Sequence, residues 1–148
     1  MDKILGFKGE YEYLSNFYKS EVYFEGIKYP SVENAYQSAK TLDETQRLLI
    51  SNMTASESKK YSKNFYIRAD WENIKYFIMF DLMFQKFYRN YDLIKKLLLT
   101  GDSYIEESNW WKDFYWGVCN GVGENKLGKI LMQVRSILSE NKSNGFIL

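Results

Sequence analysis

The sequence predicts an α+β fold: a single compact, mainly helical domain over residues 1–148, with a small β-sheet. A chain of 148 residues has the length of one domain, and its apolar share of 45% and charged share of 26% are ordinary for a globular protein. Short runs of β-branched and aromatic residues near the amino terminus indicate strands. Most of the remaining chain shows apolar residues at helical spacing after recognisable helix starts, so helices should dominate.

Three short segments are predicted to form strands. Residues 4–8 and 21–29 are rich in β-branched and aromatic residues, and Gly26 marks a turn inside the second segment. A further short strand is expected around 103–106.

Six segments are predicted to be helices, and several carry their own start signals. Ser31, Asp43 and either Thr54 or Ser56 are candidate N-caps, because their side-chain oxygens can accept hydrogen bonds from the first free amides of a helix. The predicted helices are, in chain order, 32–41, 43–53, 55–63, 71–89, 91–99 and 125–139.

The segment 71–89 has the strongest helical pattern and is expected to be the central buried helix. The residues expected to face inward in it are Trp71, Ile74, Phe77 or Ile78, Leu82, Phe84 and Phe87. In the last helix they are Leu127, Ile130, Leu131, Val134 and Ile137. The tail 140–148 is expected to be loose, although Phe146, Ile147 and Leu148 could dock.

Charge and composition exclude several classes of function. Lys and Arg total 20 and Asp and Glu total 19, so the net charge of +1 creates no overall field for nucleic acid or anionic membranes, although one basic cleft could still do so. The single cysteine, Cys119, excludes an internal disulfide and a cysteine-based zinc site. The amino terminus has no long apolar segment, so a cytoplasmic protein is expected.

The chain contains no histidine. Acid–base chemistry would therefore depend on carboxylates, Lys, Tyr or Cys, and a histidine-ligated metal site is excluded. Cys119 is expected to be a small buried apolar residue, because no histidine is present to activate it.

Four residues of the helix predicted over 32–41 share one face, namely Glu33, Tyr36, Gln37 and Lys40. One interpretation is a solvated helix face with a weak ion pair. The other is the wall of a cleft, in which a carboxylate and an ammonium about two turns apart stabilise a cation, orient water or bind a phosphate. Spacing alone leaves both open.

Two further polar residues lie in apolar surroundings. Asn16, in the stretch LSNFY, is either a turn residue or a buried amide that needs partners. Arg68 comes just before the long helix, where Asp70 looks like an N-cap, and is either a surface charge or a bidentate clamp for a phosphate.

The stretch NWWKDFYWGVCNGVGENKLG, residues 109–128, combines Trp110, Trp111 and Trp116 with Asp113 and four glycines. The tryptophans are either core residues or the wall of a binding pocket, and Asp113 is either a turn residue or an acid in an apolar setting. The glycines before the last helix suit either a turn capped by Asn125 or an anion site at a helix start.

Taken in order, the motifs LSNFY, YPSVENAYQSAK, IRADW, LLLTGD and NWWKDFYWGVCNGVGENKLGKILMQVR resemble the NADAR family, also called YbiA-like proteins, over roughly residues 5–137. The resemblance implies a compact, mainly helical α+β domain and an N-glycosidase that cleaves bonds between a ribose carbon and a nitrogen. One kind of member removes ADP-ribose from guanine in DNA or nucleotides. Another hydrolyses N-ribosyl intermediates of the early riboflavin pathway. No cofactor or metal is implied.

The resemblance also implies site residues. Glu33, Lys40 and Asp113 are expected to be catalytic: Glu33 stabilises an oxocarbenium-like cation or activates water, and Asp113 is a second acid or an anchor for a ribose hydroxyl. Lys40 binds a phosphate or attacks an opened ribose to form a Schiff base. The expected substrate-binding residues are Asn16, Phe17, Tyr36, Gln37, Arg68, Trp71, Trp110, Trp116, Gly117, Gly123 and Asn125.

Aromatic rings of this set would stack on a base, and Arg68 with the glycine loop would hold a diphosphate. The segment 109–128 is expected to form the far side of a cleft that faces Glu33 and Lys40. Two departures from the family matter: Asn34 stands where members often have histidine, and Val118 stands where the riboflavin-linked branch tends to carry an acid. Val118 therefore favours an ADP-ribose-containing substrate, including ADP-ribosylated DNA. The rival interpretation is a non-catalytic module that binds ADP-ribose or NAD.

Overall fold

The structure is a computed structural model that describes residues 2–146, so Ile147 and Leu148, at the end of the tail that was expected to be loose, lie outside the described residues. Contacts divide the chain into two units. One consists of the amino-terminal residues up to Ser15 together with the chain from Phe87 onward, and the other is Asn16–Lys86. The elements confirm the mainly helical α+β class, with two two-stranded sheets in place of the expected one.

The unit Asn16–Lys86 contains a hairpin of β2 (Val22–Phe24) and β3 (Ile27–Tyr29), and β1 (Lys3–Leu5) belongs to the other unit. The strands are antiparallel, with Val22 opposite Tyr29. Their two-residue turn has φ of 45° at Glu25 and 85° at Gly26. Left-handed conformations at both turn positions match the right-handed twist of a hairpin, so the turn predicted at Gly26 is confirmed.

Three short helices follow: α1 (Val32–Ala39), α2 (Glu44–Ile50) and α3 (Ala55–Tyr61), with a 3₁₀ turn over Ser62–Asn64. The predicted N-caps are confirmed, because the side chains of Ser31, Asp43 and Thr54 each accept a hydrogen bond from a backbone amide in the first turn. Thr54, rather than Ser56, is the third cap.

The long helix α4 (Trp71–Tyr88) is less uniformly buried than expected. Of the alternatives Phe77 and Ile78, Phe77 is 68% exposed and does not face inward, whereas Ile78 is half-buried. The inward stripe instead consists of Trp71, Met79, Leu82, Met83, Lys86 and Phe87. The helix is apolar on most sides, so the spacing of apolar residues left several candidate stripes, and a lysine on the inward stripe could not be foreseen from it.

The other unit pairs β1 (Lys3–Leu5) in parallel with β4 (Tyr104–Glu106), with buried Ile4 opposite buried Ile105. A 3₁₀ helix covers Gly9–Leu14, and α5 spans Tyr91–Leu99. The last helix, α6 (Lys126–Ser143), packs against β4 and extends past the expected end at 139, so the first part of the predicted loose tail is helical. Its buried apolar residues are Leu127, Ile130, Leu131, Val134 and Leu138, whereas Ile137 is only half-buried.

Within residues 2–146, no helix has both the length and the apolar character that crossing a bilayer would need.

Candidate active site

α1 is buried along its entire length, from Val32 to Ala39, although half of its residues are polar. The interpretation of Glu33 and its neighbours as a solvated face is therefore wrong. Buried polar side chains must find hydrogen-bond partners or lose stability. The hydrogen-bond partners of these buried side chains show how each of them is oriented.

The carboxylate of Glu33 is held by a chain of two hydrogen bonds. Gln37 Nε2 donates to Glu33 Oε1 at 2.6 Å, and Ser62 Oγ donates to Gln37 Oε1 at 2.6 Å. Glu33 is 6% exposed and lies in the first turn of α1, where the helix dipole favours a negative charge. The structure thus contains a buried acid whose orientation is set by Gln37, and Gln37 is oriented in turn by Ser62. Sequence reasoning did not select Ser62, because nothing in its spacing marks it.

Asn34, the residue that replaces the frequent histidine, ties α1 to the end of α2. Its Nδ2 donates to the carbonyls of Ile50 at 3.0 Å and Met53 at 2.9 Å, while its Oδ1 accepts from Ser31 Oγ at 2.6 Å. A neutral imidazole carries only one N–H and could not make both donations. This position has a structural role here.

Asn16 lies beside the start of α1, since its carbonyl accepts from the amide of Glu33 at 3.0 Å. Its Nδ2 makes a weak contact to Met79 Sδ at 3.5 Å, and its buried Oδ1 has no hydrogen-bond partner among the described residues. A buried acceptor without a donor typically costs about 1–3 kcal/mol. Asn16 therefore combines both interpretations: it lies in a turn and is half-buried, and its buried Oδ1 needs a donor. Its role as a substrate contact stays a prediction.

Lys40 follows α1 as its C-cap, with Nζ 5.4 Å from the centre of the Tyr36 ring. Burial lowers the pKa of Lys40, the negative charge of Glu33 opposes this, and the positive charges of Lys59 and Lys75 lower the pKa further. A lysine with a lowered pKa has a larger share of neutral amine, which is the nucleophilic form. The same ammonium, when protonated, suits a phosphate.

The predicted aromatic contacts differ in exposure. Tyr36 and Trp71 are 7% and 5% exposed and pack on each other, with ring centres 5.1 Å apart. Phe17 is 42% exposed, and Lys59 Nζ lies 5.8 Å from the centre of its ring. Of the three, Phe17 presents the largest exposed share of its surface.

Arg68 is joined to Lys40 through the backbone, because its amide donates to the Lys40 carbonyl at 2.8 Å. Its guanidinium binds Asp70 with two hydrogen bonds, of 2.7 Å from Nε and 3.2 Å from Nη2. The hydrogen bonding of this guanidinium to the Asp70 carboxylate raises the pKa of Arg68. The guanidinium makes a bidentate contact, as expected of a phosphate clamp, but the group that it binds is the carboxylate of Asp70 in the same segment.

In the other unit, Trp110 and Trp111 are exposed, at 80% and 46%, so they are not core residues. Asn109 closes the short loop that carries them, accepting from the Asp113 amide and donating to the Asp113 carbonyl, both at 3.0 Å. The Asp113 carboxylate accepts from the amides of Tyr115 and Trp116 at 3.2 and 2.9 Å. Asp113 therefore acts as a turn residue here, and its catalytic role stays a prediction.

The exposed tryptophans line one side of a cavity of about 320 Å³, and Lys8 and Glu107 also contribute to its wall. Trp116 is half-buried and stands edge-on to Tyr115, with ring centres 4.7 Å apart. The segment thus supplies both exposed and partly buried aromatic surface, as a binding wall would require.

The backbone amides at the start of α6 are occupied by hydrogen bonds to the aromatic segment. Four consecutive amides, of residues 124–127, donate to carbonyls of residues 114–117 at distances of 2.7–3.2 Å. A helix start attracts anions when its first amides lack partners, whereas these four bond within the chain. Binding of a diphosphate by this loop stays a prediction.

Close packing explains the glycines of this segment. A Cβ on Gly117 would lie 2.2 Å from the Glu107 carbonyl oxygen, and one on Gly123 would lie 2.2 Å from the Gly117 carbonyl oxygen. A Cβ on Gly128 would likewise lie 2.3 Å from the Ile105 carbonyl oxygen. Glycine at these three positions therefore allows two backbone segments to pack in direct contact.

Asn125 joins β4 to the start of α6, from a left-handed backbone conformation with φ of 52°. Its Oδ1 accepts from the Glu107 amide at 3.0 Å, and its Nδ2 donates to the Ile105 carbonyl at 3.0 Å and the Tyr104 hydroxyl at 3.3 Å. The side chain is thus used for packing within the unit, and its predicted contact with substrate stays a prediction.

Cys119 and Val118 are buried in this unit, at 4% and 9% exposure. The expectation that Cys119 is a small buried residue is confirmed. The backbone of Val118 pairs with the neighbouring segment, donating to the Glu107 carbonyl and accepting from the Asn109 amide, both at 2.8 Å. An acid at position 118 would have to be accommodated in this buried setting.

The predicted site residues thus fall into two groups. Asn16, Phe17, Glu33, Tyr36, Gln37, Lys40, Arg68 and Trp71 belong to the unit Asn16–Lys86, and Trp110, Asp113, Trp116, Gly117, Gly123 and Asn125 belong to the other. That the second group faces the first across a cleft stays a prediction.

Comparisons with known proteins agree with the motifs. A model of the NADAR domain matches residues 6–139. The N-glycosidase YbiA of Escherichia coli is 31% identical over 149 residues, which cover 95% of this chain and 92% of that protein. The NMR structure of Escherichia coli YbiA has a TM-score of 0.84 at 29% identity and covers 96% of this chain and 88% of that one.

A second kind of relative is much longer than this chain. A riboflavin biosynthesis protein of Vibrio vulnificus is 35% identical over 133 residues, which cover 87% of this chain but only 36% of that protein. The chain therefore spans about a third of the length of that relative. The family model covers most of the chain, and relatives of similar length are more than 30% identical to it. The chain belongs to the NADAR domain family.

Proposed function

We propose that this protein is an N-glycosidase that hydrolyses the bond between C1 of a ribose and a nitrogen, and that its substrate is a guanine base carrying ADP-ribose, in DNA or in a nucleotide. The observation that supports this most directly is the buried Glu33 carboxylate, oriented by Gln37 and Ser62. The relatives of similar length that are named N-glycosidases support the reaction class.

Glu33 is suited to the difficult step. Cleavage of a ribosyl C1–N bond passes through a state with positive charge on the ribose ring, and a fixed carboxylate stabilises that charge or activates the attacking water. Because Glu33 is already buried and hydrogen-bonded, little reorganisation is needed when the charge develops.

Lys40 has two alternative roles in this proposal. It can hold a phosphate, or its neutral amine can replace the guanine nitrogen at C1 of the ring-opened ribose and form an imine. In the second case guanine leaves with a proton, and water then hydrolyses the imine and restores the amine. The lowered pKa of Lys40 favours the second role, because it increases the neutral share.

A second substrate is an N-ribosyl intermediate of riboflavin synthesis. Relatives from Vibrio vulnificus and maize, named riboflavin biosynthesis proteins, favour it. Val118, in place of the acid that this branch tends to carry, favours the ADP-ribose substrate. The bond that is broken belongs to the same class in both.

The test is incubation with an oligonucleotide that carries ADP-ribosylated guanine and, separately, with the ribosylamine of the riboflavin pathway. Release of ADP-ribose from the first, abolished by Glu33→Gln and unaffected by Glu44→Gln at an exposed helix position, would support the proposal. Release of ribose phosphate from the second alone would move the substrate to the riboflavin branch. Tight binding of ADP-ribose without release of any base would identify a binding module instead.

A further inference from the structure

A basic and aromatic segment, residues 58–69, connects α3 to the turn before α4. It contains three lysines and one arginine and no acidic residue, although the net charge of the whole chain is only +1. The segment includes the end of α3, the 3₁₀ turn over Ser62–Asn64 and the irregular residues 66–68. None of its lysines has a role in the proposal above.

Burial separates an inner side of the segment from an outer side. Ser58, Ser62 and Phe65 are buried. The outer side consists of exposed residues, namely Lys59, Lys60, Lys63, Asn64, Tyr66 and Ile67. The lysines therefore face solvent, while small and apolar residues pack the segment onto the rest of the unit Asn16–Lys86.

Two hydrogen bonds attach the segment to α1. Ser62 Oγ donates to Gln37 Oε1 at 2.6 Å, and Gln37 orients the Glu33 carboxylate. The Arg68 amide donates to the Lys40 carbonyl at 2.8 Å. The segment is thus attached at two positions one turn apart, and it forms an edge of the proposed active site.

Lys60 and Lys63 supply positive charge on the outer side. Among the described residues neither of them forms an ion pair, whereas the Arg68 guanidinium is bound to Asp70. The two lysines are three residues apart where α3 continues into the 3₁₀ turn, so they are neighbours on one face. Two adjacent ammonium groups suit neighbouring phosphates of a polyanion.

Tyr66 adds an aromatic surface to the same side. It is 97% exposed, so both faces of its ring are accessible. It follows the buried Phe65, whose ring stands edge-on to that of Tyr61 with centres 5.3 Å apart, and so its backbone is positioned by packing. Aromatic rings that stack on bases, next to lysines that contact phosphates, are how proteins hold single-stranded nucleic acid.

We propose that the outer side of residues 58–69 binds the single DNA strand that carries the modified guanine, with Lys60 and Lys63 on phosphates and Tyr66 stacked on a neighbouring base. A guanine in a duplex is paired and stacked, whereas in a single strand it can turn towards a buried carboxylate at little cost. This inference rests on the proposed function, and it narrows the substrate from any ADP-ribosylated guanine to guanine in a DNA strand.

The experiment measures the affinity for an unmodified single DNA strand of about twelve nucleotides, by fluorescence anisotropy at several salt concentrations. Each lysine–phosphate contact contributes about 0.7 to the slope of log affinity against log salt, which is about fivefold in affinity at about 0.1 M salt. Lys60→Gln and Lys63→Gln should each weaken binding by about that factor and reduce the slope by about 0.7. Tyr66→Ala should weaken binding by about fivefold or more with an unchanged slope, and Tyr66→Phe, which keeps the ring, should restore it.

A second lysine and tyrosine provide matched controls. Lys95 and Tyr91 are exposed on α5, with Lys95 Nζ 5.6 Å from the centre of the Tyr91 ring. Lys95→Gln and Tyr91→Ala should change the affinity for the strand by no more than about twofold. Thermal unfolding of each variant checks that it is folded.

Turnover separates this inference from the proposed function. In the Lys60, Lys63 and Tyr66 variants, release of ADP-ribose from the modified strand should require a higher KM, whereas release from ADP-ribosylated guanosine monophosphate should match the parent. If strand binding depends on these three residues but no substrate loses its base, the surface holds and the proposed enzymatic function fails. If the parent and the variants process both substrates equally well, the glycosidase stands and the surface is rejected.

Three binding results would overturn the inference. The first is a parent that does not bind the strand, or equal weakening by Lys60→Gln and Lys95→Gln. The second is equally tight binding to phosphatidylserine vesicles without any effect of Tyr66→Ala, which would indicate a general affinity for anionic surfaces. The third is clearly tighter binding of an RNA strand of the same sequence, which would reject the assignment to DNA.

Discussion

Replacing Glu33 with glutamine removes a negative charge and keeps the shape of the side chain. The oxygen of the new amide can accept the hydrogen bond that Gln37 Nε2 gives to Glu33 Oε1 at 2.6 Å, so the chain from Ser62 is preserved. The backbone bond from residue 33 to the Asn16 carbonyl does not involve the side chain. The favourable interaction of the carboxylate with the start of α1, about 0.3–1 kcal/mol, is lost. We therefore expect the free energy of unfolding to change by no more than about 1 kcal/mol.

Turnover should fall much further than stability. Removing one preorganised group that stabilises transition-state charge typically lowers the rate about 10²–10³-fold, which corresponds to about 3–4 kcal/mol in the barrier. The attraction of Glu33 raises the pKa of Lys40, so the substitution lowers that pKa and increases the share of neutral Lys40. A loss of activity in Glu33→Gln therefore cannot be attributed to a more fully protonated Lys40.

The assay is single-turnover release of ADP-ribose from an oligonucleotide with ADP-ribosylated guanine, separated by chromatography, with thermal unfolding measured on the same samples. Glu44→Gln is the matched control, because Glu44 also lies in the first turn of a helix but is exposed. If Glu33→Gln is folded and keeps its rate within about threefold of the parent, a difference too small for lost charge stabilisation, Glu33 is not the group that stabilises the cation.

Three further predictions concern Lys40, Asn125 and Lys86. If neutral Lys40 attacks the ribose, activity should rise with pH through a pKa below 10.5, and borohydride should trap an adduct that Lys40→Ala cannot form. Lys59→Gln removes a positive charge that lowers the pKa of Lys40, so it should move this rise to higher pH. A pH profile that does not move would contradict the prediction. Asn125→Ala removes three hydrogen bonds, so it should lower the free energy of unfolding measured in urea by about 2–4 kcal/mol. Asn120 is exposed and has the same φ of 52°, so Asn120→Ala should lower that free energy by less than about 1 kcal/mol. Burial lowers the pKa of Lys86 from 10.5 to about 7, so between these values only the unfolded chain holds the proton, and the free energy of unfolding should rise by about 1.4 kcal/mol per pH unit. Lys86→Met should flatten that rise and Lys95→Met, at an exposed lysine, should not; equal slopes in the parent and Lys86→Met would show that Lys86 stays charged when folded.

The local signals in the sequence predicted much of the secondary structure. N-caps act through side chain to backbone contacts within one turn, so Ser31, Asp43 and Thr54 mark three helices without knowledge of the rest of the fold. Burial depends instead on distant segments. The sequence leaves open whether the polar face of α1 is solvated, because nothing within it shows that Ser62 will supply a partner to Gln37. Lys86 was missed on α4 for the same reason, since a lysine is expected at the surface.

The glycine loop before α6 shows how the same limit affects the prediction of function. The glycine loop was expected to bind a diphosphate because glycines precede a helix, but the attraction comes from unpaired amides rather than from glycine itself. Here the amides of residues 124–127 bond to the carbonyls of residues 114–117, and Gly117 and Gly123 allow those backbone segments to pack closely. A candidate anion site at a helix start is thus better judged by whether its first amides bond within the chain than by the glycines that precede the helix.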